Sequence, residues 1–93
     1  KPGWTPLHYA AASPGAKAMQ VLLDRGALVD ARSPNGTTPL MMAAQYGPED
    51  AVDLLLRKGA DLRLRNDLGL SPADFAQRGG REALARRLTA SAR

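Results

Sequence analysis

The side chains that could do chemistry are few, and their spacing excludes most of it. His8 is the only histidine and there is no cysteine. Neither a multi-histidine nor a thiolate metal site can therefore be assembled. No EF-hand spacing of acidic residues occurs. Gly15-Ala16-Lys17 places a lysine after a glycine. It lacks the preceding glycine and the following Ser or Thr of a phosphate-binding loop. Glu49 and Asp50 form an adjacent carboxylate pair. They stand at an expected helix start, where negative side chains favour the helix dipole. Serine, histidine and aspartate combinations can be drawn on paper, but no spacing selects one. The chain reads as a non-enzyme, with no metal and no cofactor expected.

What remains is a surface, and composition bounds it. The chain has 93 residues, 44% hydrophobic and 24% charged, which suits a folded unit better than a disordered one. A chain this long buries roughly two thirds of its unfolded surface, so its core is thin. No apolar run approaches the ~18 residues needed to span a bilayer. No signal peptide or lipidation pattern appears. Thirteen basic residues against nine acidic ones give a net charge of +4. Over residues 1–77 the charges cancel, eight against eight. The excess comes from Arg78, Arg81, Arg86, Arg87 and Arg93, opposed by Glu82 alone.

The elements that must carry this surface repeat at a period of 33. Gly3, Gly36 and Gly69 are in register, as are Thr5, Thr38 and Ser71, then Pro6, Pro39 and Pro72, then Leu22, Leu55 and Leu88. Residues 2–34 and 35–67 share 12 identities in 33 positions, and 68–93 is a shorter, more diverged third copy. Each copy predicts a hairpin turn, a helix, a tight turn and a second helix. Thr5-Pro6, Thr38-Pro39 and Ser71-Pro72 are helix starts, a capping hydroxyl followed by a residue pre-set for the first helical position. The first helix is about two turns long and Ala-rich. The second carries Ala51, Val52, Leu54, Leu55 and Leu56 as a wide apolar stripe, matched by Ala18, Met19, Val21, Leu22 and Leu23. Gly26 and Gly59 follow as left-handed C-terminal stops. Asn35-Gly36 predicts a hairpin tip with positive φ. Helices this short do not persist alone in water, so the copies must stack into a solenoid.

G-x-T-P-L-H-x-A-A at Gly3–Ala11 and L-L-x-x-G-A at Leu22–Ala27 resemble the ankyrin repeat. G-T-T-P-L-M-M-A-A and L-L-L-R-K-G-A-D follow in the second copy, and G-L-S-P-A-D-F-A with Gly80 in the third. The resemblance implies an all-α ankyrin-repeat solenoid of stacked helix–turn–helix repeats joined by β-hairpin-like turns. The expected organisation is one domain, 1–93, of two full repeats (2–34 and 35–67) and a C-terminal cap repeat (68–93). His8 is then accounted for as the family's structural histidine.

Departures from the family pattern set further expectations. Met41 and Asp74 replace the histidine, so its side-chain hydrogen bonds to neighbouring turns should be lost in two repeats. Pro14-Gly15 displaces the usual inter-helix glycine, which Gly47 and Gly80 keep. In the third copy Ala73, Gln77, Arg87 and Thr89 replace apolar or smaller residues where a fourth repeat would dock, as in a cap. The first copy shows no such change, which predicts further repeats before Lys1 or pairing of that face with another chain.

In this family ligands usually meet the hairpin tips and the inward face of the first helices. By register the tip positions are Trp4, Thr37 and Leu70, with Pro34, Asn35, Asp67 and Leu68 beside them. The helix stripe is Tyr9, Met42 and Phe75, ending at Gln45, Tyr46 and Arg78. Arg32 and Arg65 occupy equivalent hairpin positions. Aromatic residues and arginine are the usual composition of binding hot spots. The expected partner-binding set is Trp4, Tyr9, Arg32, Thr37, Met42, Tyr46, Arg65, Leu70 and Arg78, for a protein partner of unknown identity. The alternative expectation is an accessory domain docking an acidic protein, nucleic acid or membrane surface through the Arg-rich C-terminal repeat. The neutral remainder of the chain disfavours nucleic acid. The Ala/Arg-rich composition and the repeats resemble bacterial ankyrin proteins, which leaves a soluble protein of the cytoplasm or the periplasm.

Overall fold

A computed structural model describes residues 3–92. Six helices follow one another as α1 (Pro6–Ala12), α2 (Lys17–Asp24), α3 (Pro39–Tyr46), α4 (Glu49–Arg57), α5 (Pro72–Arg78) and α6 (Glu82–Ser91). No strand forms among the described residues. The inner helices α1, α3 and α5 pack side by side, and α2, α4 and α6 each back their own inner helix. Only α3 is flanked on both sides, and Leu40, Met41, Ala43 and Ala44 within it are fully buried.

Each inner helix starts the same way. Thr5, Thr38 and Ser71 accept from the main-chain N–H three residues on. The side chain at that third position returns a bond to the cap residue's own N–H. His8 does so with Nδ1 at 3.1 Å, Met41 with Sδ at 3.3 Å and Asp74 with Oδ2 at 2.9 Å. As expected, neither Met41 nor Asp74 bonds the main chain of the next hairpin among the described residues. Both keep the local cap. His8 alone also reaches onward, its Nε2 lying 2.8 Å from the Thr37 carbonyl of the next hairpin. Since Nδ1 accepts from Thr5 N–H, Nε2 must carry the proton that Thr37 accepts. The ring is fully buried. His8→Ala is expected to cost roughly 2–4 kcal/mol, and His8→Met, which keeps a local acceptor, about 1–2 kcal/mol. Urea midpoints measure both, and wild-type stability in the Met variant would remove the Thr37 bond from the account.

The hairpin-like turns are closed by Ser33 N–H to Thr37 O at 2.9 Å and Asn66 N–H to Leu70 O at 3.0 Å. Asp67 N–H donates across to Asn35 O at 2.8 Å, tying one hairpin to the next. At the first tip only Gly36 has positive φ, +80°. Pro34 and Asn35 both hold negative φ, which excludes an Asn35-Gly36 turn with two positive-φ residues and leaves the bulged form with Gly36 as the left-handed residue.

The inter-helix turns differ more than the period suggests. Gly26 and Gly59 end α2 and α4 at φ near +90°, with the Ala27 and Ala60 N–H groups reaching back to Leu22 O and Leu55 O at 3.0 Å. Gly80 does the same after α5, followed by Arg81 N–H to Ala76 O at 2.9 Å. Gly47 does not. Its φ is −87°, and a Cβ there would lie 2.1 Å from the Ala11 carbonyl oxygen. Gly47 is needed for close approach of α3 to α1, not for turning. Gly79, rather than Gly80, repeats that role against Gln45 O at 2.6 Å.

Position 87 also departs from expectation. Arg87 faces backwards, with Nη1 3.0 Å from Glu49 Oε2 and Nη2 on Asp53 Oδ1, both on α4. It belongs to the contact with the preceding pair. The outer end of the third pair shows the expected polar change, since Gln77 and Thr89 are exposed. At the opposite end Pro6, Val21 and Leu28 are exposed and Leu22 is half-buried, whereas the equivalent Pro39, Leu55, Pro72 and Leu88 are buried.

Candidate functional site

The inner helices and hairpins position the residues that the sequence singles out. α3 buries Pro39, Leu40, Met41, Ala43 and Ala44, which turns Tyr46 outward at its last position, 62% exposed. Tyr9 is 50% exposed, Met42 half-buried and Phe75 buried, so the expected stripe fades along the stack. Arg78 is exposed, its guanidinium carbon 6.0 Å from the Phe75 ring centroid, and covers that ring with its charge. Trp4 is half-buried and meets the His8 ring edge-on at 5.1 Å. Leu70 is half-buried, while Leu68 at the second tip is exposed.

Thr37 is a correction. It is 2% exposed, its hydroxyl donating to Asn35 Oδ1 at 2.9 Å and accepting from Asn66 Nδ2 at 3.4 Å. The small polar side chain completes the hairpin network and offers nothing to a partner.

Arg32 and Arg65 come together. Arg32 Nη2 crosses to the Arg65 carbonyl at 2.9 Å, and Arg65 Nη1 donates to Gly69 O at 2.7 Å. Both side chains are exposed. The register pairs these positions, but not the reach of one arginine onto the other's main chain.

Two of the four described arginines of the Arg-rich end, Arg81 and Arg87, are committed to the fold. α3 runs into Gly47-Pro48, and proline has no N–H for the exposed carbonyls at the helix end. Arg81 supplies the donors. Its Nη1 lies 3.1 Å from both Ala43 O and Ala44 O and 2.5 Å from Gly47 O. A guanidinium there also meets the negative end of the helix dipole. With Arg87 paired to α4, Arg78 and Arg86 remain exposed without a carboxylate partner among the described residues. Arg93 lies outside the described residues.

No group of three or more His, Cys, Asp or Glu able to hold a metal occurs among the described residues. Asp61 is half-buried beside Arg63. The Arg63 main-chain N–H at 2.9 Å, then its side chain, holds that carboxyl below its ordinary range. No helix among the described residues is long and apolar enough to cross a membrane.

A family model described as ankyrin repeats (3 copies) matches residues 1–66. The chain is an ankyrin-repeat protein. The all-α helical repeat fold fits that family, whose repeats are generally protein–protein interaction modules. A comparison with curated proteins gives no match. In this ankyrin the third helix pair lies beyond the matched span, yet it carries the same Ser71-Pro72 start, the same close-approach glycine at Gly79 and the same hairpin closure at Asn66–Leu70.

Proposed function

We propose that this ankyrin-repeat chain is a non-catalytic scaffold that binds a protein partner across its hairpin tips and the concave face formed by its inner helices. Its 93 residues are read as one domain of two full repeats and a cap repeat, 68–93. The observation that carries the reading is Tyr46, 62% exposed at the end of a helix whose other apolar residues are mostly buried. A large aromatic on a fixed frame loses little freedom on binding, which is the economy of a hot spot. Tyr9, Arg32, Met42, Arg65, Leu70 and Arg78 are the neighbours proposed to share the contact, with Trp4 at its margin. The edge formed by exposed Pro6 and Leu28 with half-buried Leu22 is suited to stacking on a further repeat, within the same polypeptide or from another copy.

The test combines a photo-cross-linking residue with a truncation. Cross-links from positions 9 and 46, and few from Lys17 on α2, are expected when the physiological partner is present. Tyr46→Ala should weaken that partner roughly ten-fold or more with the urea midpoint unchanged. Trp4→Ala should weaken binding less, and it also removes the edge contact with His8. Affinity within a factor of about two of wild type for Tyr46→Ala would remove the aromatic anchor.

A further inference from the structure

We propose that Arg32 and Arg65 together form a carboxylate clamp at the second hairpin, and that the partner segment it takes is acidic with an adjoining apolar side chain. This rests on the reading of the tips and inner edge as the binding surface. Two guanidiniums from successive hairpins converge on the main chain of residues 65–69 through Arg32 Nη2 to Arg65 O and Arg65 Nη1 to Gly69 O. A carbonyl holds each fork without neutralising it, which leaves Arg32 with its full charge and Arg65 with only the Asp74 carboxylate nearby. Each of these two bonds engages one of the five N–H donors of its guanidinium, so donors remain for a bidentate anion. The rotamer entropy that an arginine normally loses on binding has been given up in part beforehand.

The neighbours limit what fits. Among the described residues Arg32 has no carboxylate within ion-pair distance, unlike Arg87, Arg63 and Lys58. Arg65 has Asp74 Oδ2 at 3.6 Å. That oxygen already accepts from Ser71 N–H at 2.9 Å and lies 3.1 Å from Ser71 Oγ, so it caps α5 first. Asp67 is exposed on the same tip. Two carboxylates beside the clamp repel a continuous polyphosphate. A peptide brings one carboxylate on a neutral backbone. Leu68, 74% exposed at this tip, and the half-buried Leu70 offer apolar surface beside the charge. An extended Leu-Glu-Leu segment matches both chemistries.

The probe is the capped peptide Gly-Leu-Glu-Leu-Gly, its Gln counterpart and a ten-residue oligothymidylate, each titrated by NMR into the whole chain. Saturable shifts are expected at the Arg32 and Arg65 Nε–H signals and the Leu68 and Leu70 methyls. The Gln peptide should bind roughly ten-fold more weakly, as should Arg32→Gln and Arg65→Gln with the Glu peptide. Arg→Lys at either site should recover little, because a point charge replaces the fork. Equal affinity for Glu and Gln peptides overturns the proposal. So do full recovery by lysine, shifts centred on Arg78 and Arg86, or no saturation by about 1 mM peptide. Displacement of the peptide by the oligonucleotide also overturns it, in favour of a polyanion site. If these outcomes occur while Tyr46→Ala still weakens the physiological partner, the clamp fails alone and the broader reading stands.

Discussion

Gly47→Ala is expected to destabilise the chain by roughly 3 kcal/mol or more, near the upper end for a single methyl. The added Cβ would sit 2.1 Å from Ala11 O and 3.0 Å from Ala43 Cα. Both are main-chain atoms of packed helices, so no flexible side chain can yield. α3 must move from α1, and the His8 to Thr37 bond lies across the same junction. The control is Gly59→Ala, where φ is +91° and the added methyl meets open space. Its cost is confined to backbone strain, about 1 kcal/mol. A domain of this size has roughly 5–15 kcal/mol of stability in all. Urea unfolding should therefore separate the two variants clearly. Equal losses would mean that Gly47 serves conformation rather than approach.

Arg81→Met should cost roughly 2–3 kcal/mol, the range for hydrogen bonds from a charged donor whose partners are left unpaired. Methionine keeps much of the apolar stem and removes the fork. Ala44 O and Gly47 O then lose a donor that Pro48 cannot replace, while Ala43 O keeps the Gly47 N–H. Stacked repeats are held by nearest-neighbour contacts, so loss at one junction loosens the unit beyond it first. Hydrogen exchange should show amides of α5 and α6 opening well before those of α1 to α4. Uniform loss of protection along the chain would show that Arg81 does not act at this junction.

The period of 33 made the helix pairs, their capped starts and the stops at Gly26 and Gly59 legible, because each depends on residues within one turn of the chain. Tyr46 facing outward was readable from its place after a buried run. The functions of Gly47, Arg81 and Arg87 were not. They are set by atoms 34 to 38 residues away or by a carbonyl of the neighbouring pair, and register alone does not say which way a long side chain reaches. Thr37 shows the same limit on a small scale. Its position is a tip position, but a short hydroxyl between Asn35 and Asn66 closes the turn instead of facing solvent. The local caps at Met41 and Asp74 were hidden because the expected acceptor was tied to one residue type, whereas a sulfur or a carboxylate oxygen at the same point serves the same N–H.

The two arginines that join the second and third helix pairs differ in what loosens them. The link from Arg87 to Glu49 and Asp53 is between exposed charges, so added salt weakens it, as it does any ion pair open to water. Arg81 holds neutral carbonyl oxygens from a partly buried position. Those oxygens carry no charge for ions to screen and no proton to gain in mild acid. The junction thus has one fastening that responds strongly to the ionic medium and one that responds little. As salt rises, the outer helices α4 and α6 should part more readily at their surface, while the inner helices stay in register on Arg81.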